Sequence, residues 1–252
     1  MSTSQREFDA YLPVGYTDDK GRVHRQAVLR KMCGKDEELL YDDTLNSGHL
    51  VTELLKNCLV RLGELTEIDS GLVSQLFTAD RNYLLLELRR ITLGNDLHSL
   101  YNCPHCGSSV AVVENLHEVD IRRLDEAQSS EDIQVSLEDG YLDREGKTHL
   151  DLTLGLPRGI DEEAVAPMVA RDPLKAQDAL LLRCIKGFGT LSKVSLDAYG
   201  IKILRDLTIG DRRRLQTALS EELPGINLQR LVHCGPCNNS FQGVMDVSNF
   251  FV

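Results

Sequence analysis

The chain has no tryptophan, and aromatic residues make up only 5% of its 252 positions. That scarcity leaves little material for the stacking platforms that hold single-stranded nucleic acids. Lys and Arg total 28 against 39 Asp and Glu, a formal net charge of −11. A broad phosphate-binding surface needs clustered cations, so nucleic acid is not an expected partner. The one dense basic run, Arg212-Arg213-Arg214, follows Asp211 at the start of an expected helix and reads as a solvated face. Long apolar runs are missing as well. Stretches such as Tyr83-Leu84-Leu85-Leu86 are far too short to cross a bilayer, so no membrane partner is expected. The opening Met1-Ser2-Thr3-Ser4-Gln5-Arg6-Glu7 carries no apolar signal region, which points to the cytoplasm. Cysteine is present but odd in number, at seven, with four residues in two close pairs, which argues against a secreted disulfide framework. There is no Gly-rich phosphate loop, no His-Glu-x-x-His helix and no nucleophile elbow, and the acidic pairs Asp42/Asp43 and Glu221/Glu222 read as solvated charge at helix ends. No enzymatic activity is expected.

What the chain does have is two Cys-x-x-Cys motifs 131 residues apart, Cys103-Pro104-His105-Cys106 and Cys234-Gly235-Pro236-Cys237. Each closes a similar stretch. Aligned without gaps, residues 80–106 and 211–237 share nine of 27 positions: Asp80/Asp211, Arg81/Arg212, Leu84/Leu215, Leu88/Leu219, Gly94/Gly225, Leu97/Leu228, Leu100/Leu231 and both cysteine pairs. Ordinary composition would give about two matches. Upstream, the segment from Leu55 through Cys58 to Leu65 echoes the one from Leu181 through Cys184 to Leu191, with five extra residues between blocks in the second copy. The chain reads as a diverged duplication.

The expected fold is α+β, with two related helix–helix–knuckle–strand lobes, an inserted β-hairpin and a zinc-ribbon-like four-cysteine site. Residues 1–45 form an N-terminal hairpin extension, with Val14-Gly15-Tyr16 before the turn Thr17-Asp18-Asp19-Lys20-Gly21 and alternating polarity over 23–29 after it, and Gly34-Lys35-Asp36-Glu37-Glu38 then opens a short acidic helix or turn. Residues 46–119 form the first lobe. Leu50, Leu54, Cys58 and Leu62 mark a helix over 48–66, and Leu84, Leu88 and Ile91 mark a second over 78–93, with Thr78 or Asp80 as cap and Gly94 as stop. Residues 120–170, without a counterpart in the repeat, form the inserted hairpin and linker, with Asp161-Glu162-Glu163 opening a helix whose N-terminus favours acids. Residues 171–252 form the second lobe, with helices over 175–187 and 211–222 and a last strand over 241–247.

Three readings of the cysteine pairs compete. As a structural metal site, Cys103, Cys106, Cys234 and Cys237 supply the four thiolates of one shared tetrahedral zinc. Gly107 after the first pair tolerates positive φ, and Asn238 after the second is the next best residue for that conformation. As a redox pair, Cys-Gly-Pro-Cys is the thioredoxin tetrapeptide, but that chemistry wants the first cysteine at a helix N-terminus. Here Val110-Ala111-Val112-Val113 looks like strand, and the second pair lies only 15 residues from the last residue. The third reading gives the pairs no role. His105 and His233 lie in or beside the knuckles as possible substitute ligands. Cys58 and Cys184 match as small core residues, and Cys33 needs no function.

Several segments together resemble the T-even phage baseplate hub assembly protein family, whose members also occur in gene clusters for contractile injection systems. They are Leu12-Pro13-Val14-Gly15-Tyr16, the run from Ala79-Asp80-Arg81-Asn82-Tyr83 to Gly94-Asn95, the first knuckle with Gly107, Gly140-Tyr141 with Leu156-Pro157-Arg158-Gly159, and the terminal cysteine pair. The resemblance spans most of the chain, and the order of the elements carries it. It implies a non-enzymatic chaperone or minor hub component for a baseplate, with hub or spike proteins as partners. An adaptor loading cargo into the tube, a zinc-ribbon nucleic-acid binder and a thiol oxidoreductase are the alternatives.

Overall fold

The structure is a computed structural model that describes residues 7–124, 132–219, 223–245 and 251. The calls on Glu221/Glu222 and on the strand end at Asp246 and Val247 lie outside the described residues. In the first half, β1 (Glu7–Thr17) and β2 (Val23–Arg30) form an antiparallel hairpin, and β3 (Leu59–Leu62) adds to the free side of β2. Between them lie α1 (Gly34–Glu37), which continues into a 3-10 turn, and α2 (Ser47–Cys58); α3 (Ser70–Gln75) and α4 (Thr78–Leu93) follow β3. Next come the hairpin β4 (Asp96–Asn102) and β5 (Ser109–Asn115) and the short β6 (Ile121–Arg122). In the second half, β7 (Asp132–Leu142), β8 (Thr148–Gly155) and β9 (Ile185–Phe188) form a sheet of the same order, interrupted by α5 (Gly159–Val169) and α6 (Pro173–Cys184). Then come α7 (Lys193–Asp206), α8 (Ile209–Ala218), β10 (Gly225–Ile226), which pairs with β6, and the hairpin β11 (Gln229–Cys234) and β12 (Asn239–Val244).

Side-chain caps fix most of the helix starts. Asn46 accepts the His49 N–H at 3.0 Å, Asp172 that of Lys175 at 3.0 Å and Thr208 that of Asp211 at 3.2 Å. Helix α2 is shorter than the expected 48–66 because Leu59 and Leu62 leave it to pair with β2 and bury in the core. Gly94, with φ +98°, ends α4 where expected. Its start differs. Phe77 is the N-cap and makes no side-chain cap bond, while the fully buried Asp80 turns to β1 and accepts the Val14 and Gly15 N–H groups at 2.8 and 2.9 Å.

The hairpin expected as an insertion without counterpart takes a different place. Strands β7 and β8 are two of the three strands of the second sheet, as β1 and β2 are of the first. The same devices recur. Asp211 accepts the Glu138 and Gly140 N–H groups at 2.7 and 2.8 Å, as Asp80 accepts those of Val14 and Gly15. His24 Nε2 bonds Asp18 at 3.1 Å, and His149 Nε2 bonds Asp143 at 2.8 Å. Each buried imidazole presses on a left-handed glycine, Gly63 or Gly189. Offset by 125 residues, 11 of the 27 positions from 12 to 38 are identical, including Leu12/Leu137, Gly15/Gly140, Asp18/Asp143, His24/His149 and Gly34/Gly159.

Each half has its own apolar core. One gathers around Leu55, Leu62, Leu84 and Leu88, the other around Leu154, Phe188, Leu204 and Leu215. Helix α5 joins them. It belongs by sequence to the second half, yet it packs against α2, α3 and α4 of the first. Gly159 N–H donates to the Leu76 carbonyl at 3.0 Å, and Arg158 stacks over the Phe77 ring at 4.1 Å. Arg81, fully buried, donates to Thr52 Oγ1, the Val73 carbonyl and the Gly48 carbonyl, and faces Glu162 and Glu163 of α5 at 3.4 and 3.6 Å. Glu163 also accepts from the hydroxyls of Thr52 and Ser74.

Candidate metal centre

The two cysteine pairs occupy the turns of two β-hairpins. In β4–β5, register places Asn102 opposite Ser109, and the intervening loop closes with Cys103 N–H to the Ser108 carbonyl and Gly107 N–H to the Cys103 carbonyl, both at 2.9 Å. In β11–β12, Cys234 pairs with Asn239, and Asn238 N–H donates to the Cys234 carbonyl at 2.8 Å. Gly107 and Asn238 hold φ values of +74° and +57°, the left-handed conformation expected of both, and Asn238 is the only non-glycine residue with positive φ among the described residues. Neither pair precedes a helix, so the placement a thioredoxin-type motif needs is not the one found here.

The hairpins face each other and bring the four sulfurs together, all within 4.8 Å of one another. The shortest approaches cross between hairpins: Cys103 Sγ to Cys237 Sγ is 3.7 Å and Cys106 Sγ to Cys234 Sγ is 3.6 Å. A disulfide needs about 2.05 Å. Four thiolates each about 2.3 Å from a central ion stand about 3.8 Å apart along a tetrahedral edge. The observed separations fit the second arrangement, so the group could hold a metal ion. Among the described residues it is the only such cluster of three or more His, Cys, Asp or Glu ligands. His105 and His233 are exposed and outside it.

Packing and hydrogen bonds hold the hairpins face to face. Tyr101, Cys103, Val232, Cys234 and Phe241 form a small core of their own. A Cβ on Gly243 would stand 2.6 Å from the Tyr101 ring, so glycine there lets the second hairpin lie on the first. The Tyr101 hydroxyl donates to Glu114 at 2.7 Å, and Arg230 of β11 reaches the same carboxylate at 3.3 Å. The thiols themselves are electrostatically uneven. The Ser108 hydroxyl and backbone N–H pull the exposed Cys106 down to about 6. The Cys237 backbone favours the Cys234 thiolate, but burial and the three neighbouring thiols prevail and push Cys234 up to about 12. A bound cation would offset the charge of thiolates brought this close together.

The remaining cysteines stand apart. Cys58 and Cys184 are buried at the matching ends of α2 and α6, where desolvation pushes both thiols up to about 12, and Cys33 is exposed. The arginine run is largely engaged in the fold. Arg212 donates to Asp178 and to the Leu204 carbonyl, and Arg214 to the Ser136 carbonyl and Glu138. Among the described residues no helix is long and apolar enough to cross a membrane. Sequence reasoning missed the Arg81–Glu162–Glu163 joint and the paired Asp–His struts. The signal was there: Asp-x-x-Gly-x-x-His recurs at 18–24 and 143–149. The T4 bacteriophage base plate protein family matches residues 14–252, nearly the whole chain. No curated protein and no solved structure matches it.

Proposed function

The chain belongs to the T4 bacteriophage base plate protein family, and from that premise we propose that it is a non-enzymatic assembly factor, or a minor hub component, for the baseplate of a phage-tail-like contractile injection system. It acts in the cytoplasm on hub or spike proteins before their final contacts form. The observation that carries the reading is the four-cysteine cluster. Two hairpins far apart in sequence place four sulfurs within 4.8 Å, each cysteine pair in a hairpin turn. We take the ion to be a single structural zinc held by Cys103, Cys106, Cys234 and Cys237. It would tie the hairpins together and close a loop of more than a hundred residues. The recurring sheets, Asp–His struts and knuckles support descent from a duplicated half. The net charge of −11 supports a helper that stays soluble beside an aggregation-prone partner.

Deleting the gene and counting intact particles by electron microscopy tests this reading. Absent or crippled baseplates are expected, with the protein scarce in purified particles if it is a chaperone and at fixed stoichiometry if it is a hub subunit. Normal, active particles from the deletion strain would overturn both.

A further inference from the structure

The segment that locks α5 onto the first half exists twice. Gly159-Ile160-Asp161-Glu162-Glu163 opens α5, and Gly34-Lys35-Asp36-Glu37-Glu38 opens α1, at the same 125-residue offset that relates the two hairpins. The geometry of the two helix starts is also the same, although α1 passes into a 3-10 turn at Glu38 where α5 continues as α-helix. Both N-caps are extended, Cys33 at φ −127°, ψ 175° and Arg158 at φ −115°, ψ 167°, and in both an aspartate three residues on takes the cap N–H into its carboxylate, at 2.8 and 2.9 Å.

Their surroundings differ completely. The α5 copy is engaged: Glu162 and Glu163 face Arg81, and a Cβ on Gly159 would stand 2.0 Å from Arg81 Nη1, so the glycine is what lets the guanidinium in. In the α1 copy Glu37 and Glu38 are exposed and carry no ion pair among the described residues, and a Cβ on Gly34 would meet nothing within 4 Å. Among the described residues, nothing fills the space beside that glycine and no ion pair engages those two carboxylates.

We propose that residues 34–38 are a docking element for another baseplate protein, one presenting an arginine recessed in a helical groove beside hydroxyl side chains. This rests on the assembly role proposed above and supplies its contact. The recognition chemistry is read from the engaged copy: Arg81 lies between α2, α3 and α4 with Thr52 and Ser74 beside it, and two glutamates close over it. Charge complementarity selects the partner, since an acidic tip on a chain of net charge −11 seeks a cation. A second copy of this chain does not offer the site. Its Arg81 is already covered by α5, and its Arg212 is paired with Asp178, which stands where the first half has Thr52. Leu174 replaces Gly48, whose missing Cβ lets Glu163 of α5 approach.

A photo-crosslinking residue in place of the exposed Lys35, in cells producing the complete baseplate, tests the proposal. Crosslinks mapped by mass spectrometry to an arginine-bearing helical face of another baseplate protein are expected. Gly34→Ala and the pair Glu37→Gln/Glu38→Gln should each lower that yield roughly tenfold or more, while melting temperature and metal content stay unchanged. Crosslinks to this chain itself, to a surface without arginine, or to nothing would overturn it. So would full crosslinking by the folded variants. Particle counts from the deletion strain are read separately: normal particles there with an intact crosslink would reject the assembly role and leave the docking site standing.

Discussion

Replacing Gly159 with alanine should loosen the joint between the halves, and the size of the effect follows from the contacts. The new Cβ would stand 2.0 Å from Arg81 Nη1, 2.5 Å from its Cζ and 2.8 Å from its Nε, so the guanidinium has to move. Arg81 is fully buried and holds Thr52 Oγ1 at 2.8 Å, the Gly48 carbonyl at 3.0 Å and the Val73 carbonyl at 3.2 Å, all of which lose their partner. Breaking a buried, paired charge costs about 3–5 kcal/mol. Alanine in place of glycine in a helix returns up to about 1 kcal/mol. The balance is a loss of about 2–4 kcal/mol, or a melting temperature lower by roughly 5–15 °C in a chain of this size. Calorimetry and urea titration read it. Gly210→Ala in α8, where the nearest heavy atom is 3.8 Å away, is the control and should melt at or above the wild-type temperature. A Gly159→Ala protein as stable as its parent would refute the close approach of α5 to Arg81.

Two further outcomes follow from buried polar groups. The Arg30 guanidinium, with help from the Cys33 backbone, holds the Asp36 carboxyl at about 2, below its ordinary 3.8. A folded-state value below the unfolded one means that this stability is fully present above about pH 4 and is lost as pH falls toward 2. Melting temperatures of Asp36→Asn against wild type across that range should converge at the acid end, and a constant gap would contradict the pairing. At Gly63, with φ +57°, a Cβ would also lie 2.3 Å from His24 Nδ1, whereas Gly21, with φ +75°, has open space around it. Gly21→Ala should cost about 1 kcal/mol of backbone strain and Gly63→Ala distinctly more in urea titrations; equal losses would show that the imidazole yields freely.

How much of this was legible in the sequence depends on how local each cause is. The two cysteine-bearing hairpin turns were, because Gly107 and Asn238 take positive φ for reasons internal to a short loop. Helix α4 was legible from its apolar period and Gly94, but its start was not, since Asp80 serves the β1 backbone 65 and 66 residues away rather than its own helix end. Helix α2 ended early because β2 recruits Leu59 and Leu62, a pairing that no helical period reveals. The hairpin β7–β8 passed for an insertion because its likeness to β1–β2 rests on scattered residues, Gly15/Gly140, Asp18/Asp143 and His24/His149, while the alternating apolar positions between them diverged. The α5 joint was the least visible. Glu162 and Glu163 look like ordinary acids favoured at a helix N-terminus, and only folding shows that Arg81 lies beneath them.

The most direct test of the four-cysteine centre is X-ray absorption with elemental analysis on protein purified without chelator. About one zinc per chain, bound by four sulfurs at about 2.3 Å, is expected, and Cys106→Ser should lose the ion and several kcal/mol of stability, on the order of what structural sites contribute. Protein that carries no metal yet melts as before, or whose Cys103, Cys106, Cys234 and Cys237 are found as disulfides, would contradict it.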